Sequence, residues 1–439
     1  MTAAADTSLA AERDQKARDR PGYRAFLLAR AISWTGSAVT LVALPLLVYQ
    51  HSGSPALTGL LAALEAAPYL VLGLPAGAWA DRLDPRQVLA ASSVVSAVLL
   101  ASIPLTTTLG GLTTTQLLIV ATGSAAALTF SDAAGFRALA ALVPAGAMGQ
   151  ATRNLSAVST VVSLAGPAMG GLLAATVGAG QAIALDAVSF AVSALMMARL
   201  PIPAIAAPPP RRSLRGDIGE GLRWVWRHPL VRTLTLIGIG NSLTAGFVTG
   251  LVVVVAVRQL GLSSDDGRIG LLYAAAGAGS LVASVAVVWL QRRLPVGWVT
   301  LGGLAAGLFF LAAWTASRSL ATAALALAGW QAANSVVSLN GVIVRQTTAP
   351  HDLQARVNTA ARIIAWGGQP IGAAAGGLIA EHAGLGHALA LAGSGLAVSL
   401  TAGVLSRLRD QDRLDALATA TAAPGRSSAP ARRWPDPPP

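Results

Sequence analysis

The stretch GAWADRLDPR, residues 77–86, sets Asp81, Arg82, Asp84 and Arg86 between two apolar runs, each of which would be stable in lipid. A charge at the centre of a bilayer costs about 3 kcal/mol or more, so four of them together mark a turn in water between two membrane crossings. The same alternation recurs outward from this turn. Apolar stretches of roughly 20 residues, as helices long enough to cover about 30 Å of hydrocarbon, are separated by polar links. Twelve can be counted, with 58–80 and 87–108 on either side of the quoted turn. The chain of 439 residues is 54% hydrophobic and only 11% charged, whereas soluble domains are about a quarter charged, and an ordinary soluble fold is excluded.

The net charge of +12 could suggest nucleic acid, but the basic residues sort by side of the membrane. With twelve spans and the N-terminus inside, the inner segments hold 26 of the 31 Lys and Arg. The outer loops hold Arg258, Arg268 and Arg318, and the spans hold Arg30 and Arg362. This bias sets both termini in the cytoplasm. A nucleic-acid patch needs aromatics interleaved with basic residues on one soluble surface, so nucleic acid is not an expected partner. Met1 to Tyr23 is polar and charged, so no cleavable leader is expected. With no cysteine and no Cys/His cluster, neither disulfides nor a metal nor a cofactor is expected. The single Lys among many Arg, with abundant Ala and Gly, points to a GC-rich bacterial genome and hence a bacterial cell membrane.

The expected organisation is a cytoplasmic segment 1–23, a six-helix lobe 24–200, a cytoplasmic linker 201–232, a second six-helix lobe 233–406 and a disordered cytoplasmic tail 407–439. The linker starts Pro-rich and extended. Its GEGLRWVWRHP reads as an amphipathic helix at the inner interface, with Trp224 and Trp226 at headgroup level. The halves repeat each other. Trp79, Arg82 and Pro85 recur as Trp289, Arg292 and Pro295 at an offset of 210, and Gly170-Gly171 recurs as Gly376-Gly377 at 206. Arg137 and Pro144 find counterparts in Arg345 and Pro350. Six spans plus six is the parallel repeat of a two-lobed transporter, with the substrate path between the lobes.

On these residues the chain resembles a major facilitator superfamily transporter over nearly all of residues 20–406. The superfamily's G-x-x-x-D-R-x-G-R-R loop is met by Gly77, Asp81, Arg82 and Arg86, with Asp84 and Pro85 departing from it. It is most similar to the drug-proton antiporter branch that contains macrolide and siderophore exporters. LVALPLLVYQHSGS (41–54), RALAALVP (137–144), LDAVSFAVSAL (185–195), EGLRWVWRHPLVR (220–232) and RQTTAPHDLQARVN (345–358) carry that similarity. The resemblance implies that Asp81, with Arg82 and Arg86 beside it, closes the cytoplasmic side against the start of helix 11 near Arg356 and Asn358. The stretch AGPAMGGLLA (165–174) matches in part the antiporter motif of helix 5 through Gly166, Pro167, Gly170 and Gly171, a bent, closely packed interface on which the lobes rock.

Only two acids lie well inside the spans, and these are the candidates for proton coupling. Glu65 sits about seven residues, roughly 10 Å, into the second span, beside the kink that Pro68 makes and one turn from the hydroxyl of Tyr69. Asp186 lies similarly deep in the sixth. An acid held out of water is favoured in its neutral form, as a proton carrier requires. Asp132, at the inner end of the fourth span, is assigned to the cytoplasmic gate with Arg137. Arg30 lies six residues into the first span and is read as lining the pathway. Trp34, Asn241, Gln331, Asn334, Trp366 and Gln369 sit mid-span on helices that, by the resemblance, border the central cavity, and complete the substrate-lining set. Such a cavity with one or two acids suits hydrophobic or cationic compounds.

The reading is a secondary active transporter, not an enzyme: a monomer in contact with membrane lipid that exports an amphiphilic small molecule in exchange for protons, by alternating access. An uptake symporter and a non-transporting sensor that retains the fold are the alternatives. Against the sensor, no folded soluble output domain exists in the sequence. Against an enzyme, the polar residues inside the spans form no Ser/His/Asp group and no phosphate loop.

Overall fold

A computed structural model of the chain describes residues 21–80, 82–202, 214–350, 353–406 and 408. Asp81, most of the segment 1–23, the Pro-rich start of the linker and the tail expected beyond 406, Leu408 apart, lie outside the described residues. The described residues are helical, without strands. In chain order the helices are α1 (Pro21–Ser52), α2 (Pro55–Val71), α3 (Gly73–Ala80), α4 (Pro85–Thr108), α5 (Thr114–Leu142), α6 (Met148–Val177) and α7 (Ala179–Ala198). After α8 (Leu214–Arg227) come α9 (Pro229–Arg258), α10 (Ile269–Arg293), α11 (Val296–Ala316) and α12 (Leu320–Thr348). The last four are α13 (Gln354–Trp366), α14 (Gly368–His382), α15 (Leu385–Ala392) and α16 (Ser394–Leu405).

Among the described residues, eleven stretches are long and apolar enough to cross a membrane, with α13 and α14 forming one and α15 and α16 another. α2 has only 17 residues, but α3 follows it after Leu72 alone. The break has a local cause: Pro75 lacks the N–H that would bond the carbonyl of Val71, whereas Pro68 lies inside α2 and its carbonyl still accepts from Leu72 N at 2.7 Å.

The helices outrun the apolar stretches. α5 continues to Leu142 where hydropathy ends near 133, α6 begins at Met148 rather than 155, and α12 continues to Thr348 rather than 341. Hydropathy marks the part of a helix that meets hydrocarbon, whereas the hydrogen-bond ladder runs on until the backbone must leave the helical region. Proline sets that point here. Val143 and Ala349, extended at ψ 148° and 137°, each precede a proline, and the residue before proline is pushed out of the α region.

The turn at residues 82–84 shows why the departures from the family loop are tolerated. Asp84 is the N-cap of α4, its carboxylate accepting from Arg86 N at 2.9 Å, and Pro85 occupies the first helical position, where a missing N–H leaves nothing unpaired. Ser54, Thr113 and Ser319 cap α2, α5 and α12 in the same way. Large apolar side chains such as Val94, Val98, Ile119, Val282 and Val285 face outward, as lipid contact demands, while Phe26, Leu44, Leu139 and Trp314 are fully enclosed.

α1 packs on α6 and α7, and α4 on α5 and α7; in the second half α10 and α11 pack on α12, and α9 on α14 and α16. These groups meet chiefly where α2 crosses α14 and α6 crosses α10, with α9 also resting on α2. Both crossings are made by glycine. A Cβ on Gly59 would lie 2.8 Å from the Cα of Gly377, and one on Gly171 would lie 2.5 Å from the Cα of Gly270, so the backbones touch with no room for a side chain. Gly59 and Gly270 are 211 residues apart and Gly171 and Gly377 are 206 apart, so the two crossings are copies of one another under the internal repeat.

Candidate functional site

Among the described residues, the hydrogen bonds that join the two halves lie at one end of the bundle, beside the glycine crossings. Glu381 accepts from Ser54 Oγ at 2.8 Å and from Ala56 N at 3.2 Å. Arg258 donates to Tyr49 Oη at 3.0 Å and to Gly53 O at 3.3 Å, and Gln50 Nε2 donates to Ser264 O at 2.7 Å. Sequence reasoning missed Arg258 and Glu381 because each lies at a span end, where charge needs no explanation. In the adjoining loop Asp266 is held below the usual carboxylate range by its hydrogen bonds with Arg268.

On the inner side of this closure, in the first half, Arg30 and Asp132 form an ion pair at 2.5 Å. Arg30 is 5% exposed. It also donates to Ser131 Oγ at 3.0 Å and lies 4.6 Å from the centre of the Trp34 ring, a cation–π contact. Tyr69 Oη donates to the other Asp132 oxygen at 3.2 Å. Two expectations change here. Asp132 engages Arg30 and Tyr69, while Arg137, assigned to it from sequence, donates to Leu83 O at 3.2 Å. Tyr69, read as the hydroxyl near Glu65, is turned to Asp132, because residues four apart share a helix face only when the helix between them is regular, and Pro68 intervenes.

Glu65 has no hydrogen-bond partner among the described residues. The hydroxyl within its electrostatic reach is that of Tyr273 on α10, across the lobe interface, which is buried and unbonded. Asp186 is 1% exposed and fully engaged: Thr40 Oγ1 donates to it at 2.5 Å and Ser189 Oγ at 3.0 Å. A Cβ at Gly36 would collide with this group, so that glycine is what lets α7 bring its acid against α1. Gly166 and Gly170 lie against Ala38 and Val39 of α1, which puts all three sequence-selected glycines of α6, and Pro167 with them, at helix contacts or beside them.

In the second half a cavity of about 210 Å³ opens between α9, α12, α13 and α14. Asn241, Gln331, Asn334, Trp366 and Gln369, selected from the sequence, all line it; Arg30 and Trp34 do not. The charged residue on its wall is Arg345, and the wall holds no acid, against the expectation of an acid-lined cavity. Arg345 did not stand out in the sequence as a wall residue, because the apolar stretch ends near 341 while the helix continues to Thr348. Of the expected gate, Gly77 meets nothing within 4 Å of a built Cβ, Arg82 and Arg86 are exposed, and Asp81 is outside the described residues. Arg356 pairs with Glu220 of α8 at 2.5 Å. That contact holds the linker helix against α13, with Val225 buried, Trp224 stacked on His228 at 5.1 Å and Trp226 exposed.

A model of the transmembrane secretion effector family, MFS_3, matches residues 19–429. The multidrug efflux pump Tap of Mycolicibacterium fortuitum is 28% identical over 403 residues, covering 88% of this chain and 96% of Tap. The enterobactin exporter EntS of Shigella boydii is 29% identical over 306 residues, covering 67% of this chain and 71% of EntS. Among solved structures, a bacterial homologue of the human lysosomal transporter Spinster matches with a TM-score of 0.71 at 16% identity, covering 90% of this chain and 99% of its own. The nucleoside transporter NupG matches with 0.73 at 11% identity, over 88% and 98%. The family match across nearly the whole length means that the chain belongs to the transmembrane secretion effector family of the major facilitator superfamily, and is a multi-pass transporter of the bacterial cell membrane rather than an enzyme.

Proposed function

We propose that this chain exports an amphiphilic small molecule in exchange for protons, through two six-helix lobes, 24–200 and 233–406, that rock about the outer glycine crossings. In this reading α2 and α3 together make the twelfth crossing and both termini are cytoplasmic, as the distribution of Lys and Arg requires. The interlobe hydrogen bonds at Ser54, Arg258 and Glu381 then lie outside, and the form described is the one closed to the exterior. Relatives named as a multidrug efflux pump and an enterobactin exporter support the outward direction.

The observation that carries the coupling is Glu65: an acid within the membrane, unbonded among the described residues, on the lobe that must move against Tyr273. Its protonation would be linked to lobe separation, because opening the outer end exposes it to water and favours the charged form. Asp186 is the second proton site of this reading, and Asp81, Arg82, Arg86, Arg137 and Arg356 form its cytoplasmic gate. The test is transport of a compound panel by the full chain in proteoliposomes. An imposed pH gradient is expected to drive accumulation, and collapsing the gradient with an ionophore to abolish it. Accumulation that ignores the gradient would overturn the coupling.

A further inference from the structure

The cavity of the second lobe holds polar atoms that a closed protein interior would not leave as they are. Arg345 is 4% exposed, its Nε has no hydrogen-bond partner, and among the described residues no carboxylate pairs with it. Asn241, 3% exposed, and Asn334 each hold an unbonded side-chain oxygen shielded from water, and Trp330, 3% exposed, an unbonded indole N–H, so that a turn of each amide is needed to bring its oxygen into the cavity. All four residues line the same cavity. A buried polar group without a partner costs about 1–3 kcal/mol, and a buried charge several times that unless it is compensated. Four together beside one cavity make a polar surface suited to a molecule that carries both a negative charge and hydrogen-bonding groups.

Their placement gives the ligand's chemistry. The guanidinium folds back one turn along α12: Arg345 Nη1 lies 3.4 Å from the place a Cβ on Gly341 would take. Asn241 donates to Ser338 Oγ at 3.2 Å and Asn334 O at 3.4 Å. The cation and the two free acceptors are therefore separated by one to two helical turns, about 5–10 Å, with the apolar walls of Leu234, Val337 and Trp366 around them. That is the span of an aromatic or acyl acid carrying a hydroxyl or amide.

We propose that this cavity recognises an amphiphilic organic anion, with Arg345 as counter-ion to its carboxylate or phenolate and Asn241 and Asn334 as acceptors for a hydroxyl or amide N–H on the same molecule. The inference rests on the transporter reading above and narrows its substrate from amphiphiles at large to acidic ones. A bidentate guanidinium–carboxylate pair is directional as well as strong, so Lys at this position retains the charge but not the full geometry.

The test uses the purified full chain in a neutral detergent, with 1-naphthoic acid, its methyl ester and 1-naphthylmethylamine as probes and quenching of tryptophan fluorescence as the readout. The acid is expected to bind at least tenfold more tightly than the ester or the amine. Arg345→Gln should remove that preference while leaving ester binding unchanged, and Arg345→Lys should keep part of it. Asn334→Asp, which leaves Arg345 in place but sets a carboxylate beside it, should also weaken the acid. Equal binding of the three probes, or a preference that survives Arg345→Gln, overturns the proposal. Displacement of the acid by phosphatidylglycerol at lower concentration than the acid's own half-saturation would assign the cation to a lipid headgroup and overturn it too. The export reading fails separately. A chain that keeps the Arg345-dependent preference but moves nothing under a pH gradient sinks export alone, and one that pumps cations regardless of Arg345 sinks this proposal alone.

Discussion

Glu65 and Asp132 show how differently two membrane acids can be used. Asp132 is half-exposed and partnered on both oxygens, by Tyr69 and by Arg30, whose guanidinium is held in place by Trp34. Removing its charge strands Arg30 at a buried position. Asp132→Asn is expected to destabilise the protein by about 2 kcal/mol, below the ~3–5 kcal/mol of a fully buried pair because one partner is partly in water. The midpoint of thermal unfolding in detergent measures it, and Arg30→Gln added to Asp132→Asn should recover part of the loss. Glu65 has no such role to lose. Glu65→Gln is expected to leave unfolding unchanged and to abolish gradient-driven transport while sparing exchange at equal pH. Full gradient-driven transport by that variant would remove Glu65 from the coupling.

At the scale of the helix, the glycine crossings make the sharpest claim. Gly59, Gly171, Gly270 and Gly377 lie where backbone meets backbone, and no side chain can be absorbed by rotamer change. Gly171→Leu, or Gly59→Leu, should therefore wedge this end of the bundle, the outer one in the proposed orientation, apart and reduce transport at least tenfold. Because the chain has no cysteine, a single Thr249→Cys beside the cavity can report on this. Its labelling by an impermeant thiol reagent from outside should be slow in an otherwise wild-type chain and faster in the wedged variant. Unchanged labelling would mean that the crossings do not seal that end. The linker helix makes a weaker claim of the same kind: Glu220→Gln should loosen α8 from α13 and shift protease sensitivity of the linker with little effect on insertion.

For the whole molecule, the proposed alternating-access cycle would require the contacts between the halves at Ser54, Arg258 and Glu381 to break in every turn. A Ser54→Cys, Glu381→Cys pair joined by a short cleavable thiol cross-linker should stop transport, and reduction should restore it. Transport that continues while cross-linked would show that this end does not open. The two crossings being copies under one repeat predicts symmetric behaviour, so that wedging either should have a similar effect.

What the sequence by itself determined was the membrane class, the rough position of the apolar stretches, the two-fold internal repeat and the family, because lipid demands a composition and a length that survive any packing arrangement. It also picked out the polar residues on the wall of the second-lobe cavity, since a mid-span Asn or Gln has few reasons to be there. The pairings were another matter. Arg30 with Asp132, Tyr69 turned from Glu65, Gly59 on Gly377 and Glu381 under Ser54 join residues 102, 63 or more than 300 positions apart, or reverse a local reading at a proline. Arg345 was hidden by the same limit: hydropathy ends where hydrocarbon ends, but the helix and the cavity beside it do not. Only the tertiary structure decided which charges are compensated, because compensation is a property of distance between helices and no period along the chain encodes it.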